Sequence, residues 1–178
     1  SESASVSDRL AIEFGAGRGT LIALIRSDAS TDATSPEFQA AIASGITHEV
    51  THARWHSLSV VDRARILRHV ESLQIMEMQL GTVLQAIGDP TWNGVNAADT
   101  LAERYADIYA SYPNKQDLLQ QESVAHFHEL VEVGFFSEAE IAPVADILAR
   151  LKGDAVVADL LAARMESAAN AGAPRDID

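Results

Sequence analysis

Residues 36–56 read PEFQAAIASGITHEVTHARWH, and this stretch decides the fold. Ser35, Pro36 and Glu37 form a helix start: a capping hydroxyl, a proline at the first helical position and an acid in the first turn. Phe38, Ile42, Ile46, Val50 and Ala53 then recur at near-helical spacing, so one helix is predicted from Pro36 to about His56. His48-Glu49-Val50-Thr51-His52 lies inside it, and positions i and i+4 share a helix face. The two imidazoles are thereby placed to converge on one ion. Glu49 sits one step round the helix, where it reaches a water beside that ion. Ala41 and Gly45 precede His48 on the same face and leave room there; Gly45 serves equally for close helix packing. The plain alternative is a solvated helix face with Glu49 merely exposed. His56 extends the stripe, but only four positions after His52 and with no glycine break, and it reads as structural or surface.

Upstream, Arg9–Phe14 and Thr20–Ile25 are short apolar runs around Gly15-Ala16-Gly17-Arg18-Gly19 and read as a β-hairpin. The glycines form a plain turn rather than a phosphate loop, because a strand-like run follows them instead of a helix. Downstream, Ser59 opens a long helix to about Ala86, with Ile66, Leu67, Val70, Leu73, Met76, Leu80 and Leu84 as its buried stripe. Residues 88–96 form a loop. Asn96 or Asp99 caps a helix that carries Glu103 and ends before Pro113. Further helices follow from Asn114 to about Val133, from Ser137 to Lys152 with Pro143 delaying or kinking the first turn, and from Asp154 to about Ala169. Residues 1–8 are expected to be flexible, 9–169 to form a single domain, and 170–178 to form a loose tail.

The 178 residues suit one domain with a substantial core. Aromatic residues are only 6% and much of the apolar content is alanine, which favours packed helices. A net charge of −13 disfavours nucleic acid and anionic membranes as partners. The chain has no cysteine, so thiolate ligands, disulfides and a cysteine nucleophile are excluded. No apolar run approaches a membrane span. No signal peptide is legible, and a soluble protein, cytoplasmic or secreted after processing, is expected.

A catalytic zinc site needs a third protein ligand. Ala102-Glu103-Arg104-Tyr105-Ala106-Asp107 follows the histidine pair and resembles the ExxAD segment of the gluzincin class of zinc metallopeptidases. The resemblance implies Zn2+ held by His48, His52 and Glu103, with Glu49 as the catalytic base. It also implies that Asp107 supports the site by orienting a ligand histidine, and that the substrate is a peptide or protein. The expected fold is mostly α (α+β) and zincin-like: a small N-terminal β-hairpin or sheet, the HExxH helix, then a helical bundle, with Thr20–Ile25 as the edge that meets substrate. Tyr109 and His128 are candidate oxyanion donors. Two other readings stay open: a non-proteolytic two-histidine, one-carboxylate metal protein, and a helical interaction module in which the motif is accidental.

Overall fold

The computed structural model describes residues 10–15, 19–24, 36–88 and 96–152; the side chains of 10–24 and 37–42 lie outside that description. The expected N-terminal segment 1–8, the last helix over 154–169 and the tail also lie outside it.

The predicted HExxH helix forms as α1, Pro36–Trp55. Next comes α2, Val60–Ser72, with Ser59 as its cap: the side chain accepts the Asp62 amide. The long helix expected over 59–86 is broken here. Its first part ends at Leu73, and Gln74 turns left-handed at φ 55°. A 3-10 turn over Ile75–Glu77 follows, and α3 starts afresh at Leu80–Ile87. The break shifts the buried register: Ile75 and Val83 fill the core, while Met76 and Leu84 are only half-buried. The start of α3 is sewn to the approach of α4, Leu101–Ile108. Leu80 N donates to Asp99 O at 2.8 Å, Gly81 N to Ala97 O at 3.0 Å and Leu101 N to Met78 O at 3.0 Å. Gly81 suits this crossing, since a Cβ there would stand 3.0 Å from Ala97 Cβ and press the two segments apart.

α5 spans Lys115–Glu132, α6 spans Glu138–Ile141 and α7 spans Ala145–Lys152. Pro143 lies in the 3-10 turn between α6 and α7, so the single helix expected from Ser137 is split. α5 runs through the centre of the bundle. It packs chiefly on α1, and α2, α3 and α4 also lie against it. Trp55, Ile66, Val83, Leu101, Phe127 and Leu151 belong to one continuous core around it. Burial of these side chains is what drives the assembly, at roughly 1.5–3 kcal/mol for a large apolar side chain.

The expected α+β, zincin-like body led by a small sheet is corrected by this arrangement. The body is helix packed on helix, and every candidate site residue sits on or beside a helix. Residues 10–15 and 19–24 pair as an antiparallel ribbon, Leu10 opposite Leu24, that lies against α1. Among the described residues no further strand joins it, so there is no sheet layer for helices to pack upon. No described helix is long and apolar enough to cross a membrane.

Candidate metal centre

α1 and α5 lie side by side, and their facing turns carry an unusual load of buried polar groups. Ten consecutive residues of α5, Gln121–Leu130, are buried. Among them Glu122 is 3% exposed and His126 1%. Ionisable side chains are almost never buried this deeply unless they are paired or bind an ion.

The two motif histidines do converge. His48 Nε2 and His52 Nε2 are 3.1 Å apart. Glu122 closes the triangle: its Oε2 is 2.9 Å from His48 Nε2 and its Oε1 3.3 Å from His52 Nε2. Ligand atoms about 2.0–2.1 Å from a tetrahedral zinc stand roughly 3.3 Å apart, so the spacing fits an ion between them. Glu122 Oε2 is buried against imidazole nitrogen, with His48 Nε2 at 2.9 Å and His126 Nε2 at 4.0 Å, so a carboxylate and histidine nitrogens form the donor set that zinc takes. A second group, His48, His126 and Glu129, adjoins the first and also holds its ligand atoms within 4.8 Å of one another. Glu129 Oε1 lies 2.7 Å from His48 Nδ1. Its Oε2 lies 3.2 Å from His126 Nδ1, and the far nitrogen of that ring is 2.7 Å from Tyr105 Oη.

The charges are tightly coupled. Burial disfavours a charged His48, but the facing Glu129 and Glu122 outweigh it and raise its pKa well above the ordinary value. Burial likewise pushes Glu122 and Glu129 up, and the histidines overcome it. Glu122 falls well below the usual range and Glu129 to about 2. Without an ion, a buried imidazolium clamps two carboxylates. A divalent cation can take over that role, because both carboxylates are already ionised.

Glu49 is half-buried beside the pair. Burial raises its pKa, with the charges of His48 and His52 opposing the rise. Tyr109 donates to Glu122 Oε1 at 2.6 Å, and burial together with that carboxylate pushes the phenol's pKa up, so it stays a donor. His128 faces elsewhere: its Nδ1 meets Thr51 Oγ1 at 2.9 Å and its Nε2 lies 3.5 Å from Glu132.

Glu103, the expected third ligand, is not brought to the histidines. Its carboxylate is exposed and accepts the Thr100 amide at 3.0 Å, completing a capping box at the start of α4. The backbone claims it locally, and neither potential metal group among the described residues includes it. Asp107 is exposed on the same helix and orients no ligand histidine. α4 instead contributes Tyr105 and Tyr109, which reach His126 and Glu122. Glu122, Gln121 and Glu129 are the residues that sequence reasoning missed. One signal was present: Glu122-Ser123-Val124-Ala125-His126 repeats the Glu-x-x-Ala spacing of Glu103–Ala106, one helix later.

Compared with known protein families, with curated proteins and with solved structures, the chain gives no match, and its centre is read from its own residues.

Proposed function

We propose that this protein is a zinc-dependent peptide hydrolase in which His48, His52 and Glu122 hold the ion. The observation that carries the reading is the meeting of two Nε2 atoms and a buried carboxylate within 2.9–3.3 Å. Zinc, when bound, supplies a Lewis acid for the scissile carbonyl and lowers the pKa of water toward ~7. Glu49 acts as the base. Its half-buried position keeps it beside the ligand pair, and its raised pKa suits proton exchange closer to neutrality. It accepts the proton of the water that attacks the carbonyl carbon. As the C–N bond breaks, it returns that proton to the leaving amine. Tyr109 gives its one O–H proton to Glu122 Oε1, so it orients that carboxylate toward the ion and is not free to donate to the carbonyl oxygen.

The test is Glu49→Gln. The variant should retain one zinc per chain while hydrolysis of a peptide library falls by about 10²–10⁴-fold, the usual contribution of a general base. Equal turnover in parent and variant would remove Glu49 from the chemistry. A second reading keeps the metal and drops the hydrolysis, and the deep burial of His48 and Glu122 favours it. Stoichiometric zinc with no cleavage by the parent would select it.

A further inference from the structure

A chain of hydrogen bonds leaves His52 on the side of the ring away from Glu122. His52 Nδ1 lies 3.1 Å from Gln121 Oε1. Gln121 Nε2 donates to Asp117 Oδ2 at 2.7 Å. The other carboxylate oxygen accepts Trp55 Nε1 at 3.3 Å, and His56 Nε2 stands 3.5 Å from Oδ2. Asp117 and Gln121 are one turn apart on α5, facing the last turn of α1. The leftover histidine of the motif thus finds its place, beside Asp117.

This chain has a direction. A carboxylate only accepts, so Asp117 draws the NH2 of Gln121 toward itself and turns the amide oxygen to His52. An amide oxygen also only accepts, so His52 Nδ1 must carry the hydrogen. In the neutral ring Nε2 then keeps its lone pair, on the side that faces His48 Nε2 and Glu122. Ligand histidines are commonly fixed this way by the partner of the second ring nitrogen.

We propose that Asp117, which has no hydrogen bond to either ligand ring, is a positioning residue for the metal centre. Acting through the Gln121 amide, it holds His52 in the Nδ1–H tautomer and keeps Nε2 open for the ion. This rests on the reading of His48, His52 and Glu122 as the ligand set. Asp117→Asn tests it at constant shape. The new side chain has one acceptor where two donors arrive, and the Gln121 amide relieves the conflict by flipping. The flip presents NH2 to His52 Nδ1 and forces the hydrogen onto Nε2, where it blocks the ion. Adding Gln121→Glu to that variant restores an acceptor opposite His52, whichever way the new carboxylate turns.

The experiment measures Zn2+ affinity of the full chain by competition with a chromophoric chelator. Far-UV circular dichroism of the metal-free forms controls for folding. Asp117→Asn should bind zinc about 10–100-fold more weakly than the parent, the usual cost of an outer-sphere change. The double variant should recover to within a few-fold. Parent-like affinity in Asp117→Asn, or no recovery in the double variant, overturns the positioning role and leaves the ligand assignment standing. No zinc uptake by the parent overturns both. If Asp117→Asn fails to fold, nitrogen–proton correlation of the imidazoles in the zinc-loaded parent decides. A His52 signal from Nδ1–H supports the proposal, and its absence refutes it.

Discussion

Glu103 and Glu122 both head a Glu-x-x-Ala run, and their surroundings give them opposite roles. Glu103 is exposed and satisfied by the backbone at its own helix start. Glu122 is buried, and its Oε2 lies 2.9 Å from His48 Nε2. Replacing Glu122 with alanine should weaken zinc binding by more than about 100-fold, beyond the cost of an outer-sphere change. Replacing Glu103 with alanine should leave zinc affinity unchanged and cost about 0.5–1 kcal/mol of stability through the lost cap. Chelator competition and thermal melting of both variants check the contrast. Parent-like zinc binding in Glu122→Ala would return the third ligand to another carboxylate. The histidine pair was legible because its geometry is local: four residues of one helix fix it. The proposed third ligand was not, because choosing between two identical spacings needs burial, a tertiary quantity that the letters do not carry.

At the scale of elements, α1 was readable from a cap, a proline and a period, but its buried face was not: Ser44, Gly45, His48, Thr51 and Trp55 are buried, while Ile46, Val50 and Ala53 of the expected stripe are only half-buried. α5 was recognised as a helix, but its central position was not. Its middle, from Gln121 to Glu129, reads QESVAHFHE, polar enough to suggest a surface helix, yet that run is buried. The break at Gln74 was also missed, since no glycine or proline marks it and only the need to turn α3 onto α5 explains it. The α1–α5 contact includes Thr51, fully buried, whose hydroxyl donates to Thr47 O at 2.8 Å and meets His128 Nδ1 at 2.9 Å. Thr51→Val keeps the shape and orphans His128 Nδ1. We expect about 1–3 kcal/mol lower stability in urea titration, with zinc content unchanged. His128 also holds down Glu132, to a pKa of about 2 against an ordinary value of 4.5, with Lys152 helping and partial burial opposing. A depressed carboxyl contributes stability that is fully present above the ordinary value and lost as pH falls to the folded one. Glu132 is partly solvated, so the contribution should stay within ~1 kcal/mol. The stability gap between the parent and Glu132→Gln should therefore close between about pH 5 and pH 2, read from urea midpoints. A gap that widens on acidification would contradict the pairing.

Across the whole molecule, the proposed ligands come from two helices that form the centre of the bundle. Zinc should then bind the folded chain and not the unfolded one. At a free concentration a thousand times the Kd it adds ~4 kcal/mol. Melting temperature should fall by roughly 10 °C when a strong chelator strips the ion, at 2–4 °C per kcal/mol for a chain of this size. An unchanged melting temperature would place the ion outside the core or deny it altogether. The helical class was legible from composition and period. The sheet-led zincin frame was not sustained, because the resemblance rested on short motifs that fix a site without fixing the layers around it.

The grip between positions 48 and 122 has one more consequence. This sequence contains no cysteine, so it cannot staple distant stretches of backbone with sulfur. A cation seated there would do the same job, cinching a long loop whose closure costs entropy. Unlike a covalent staple, it can be withdrawn, and the firmness of the fold would then follow the supply of the ion.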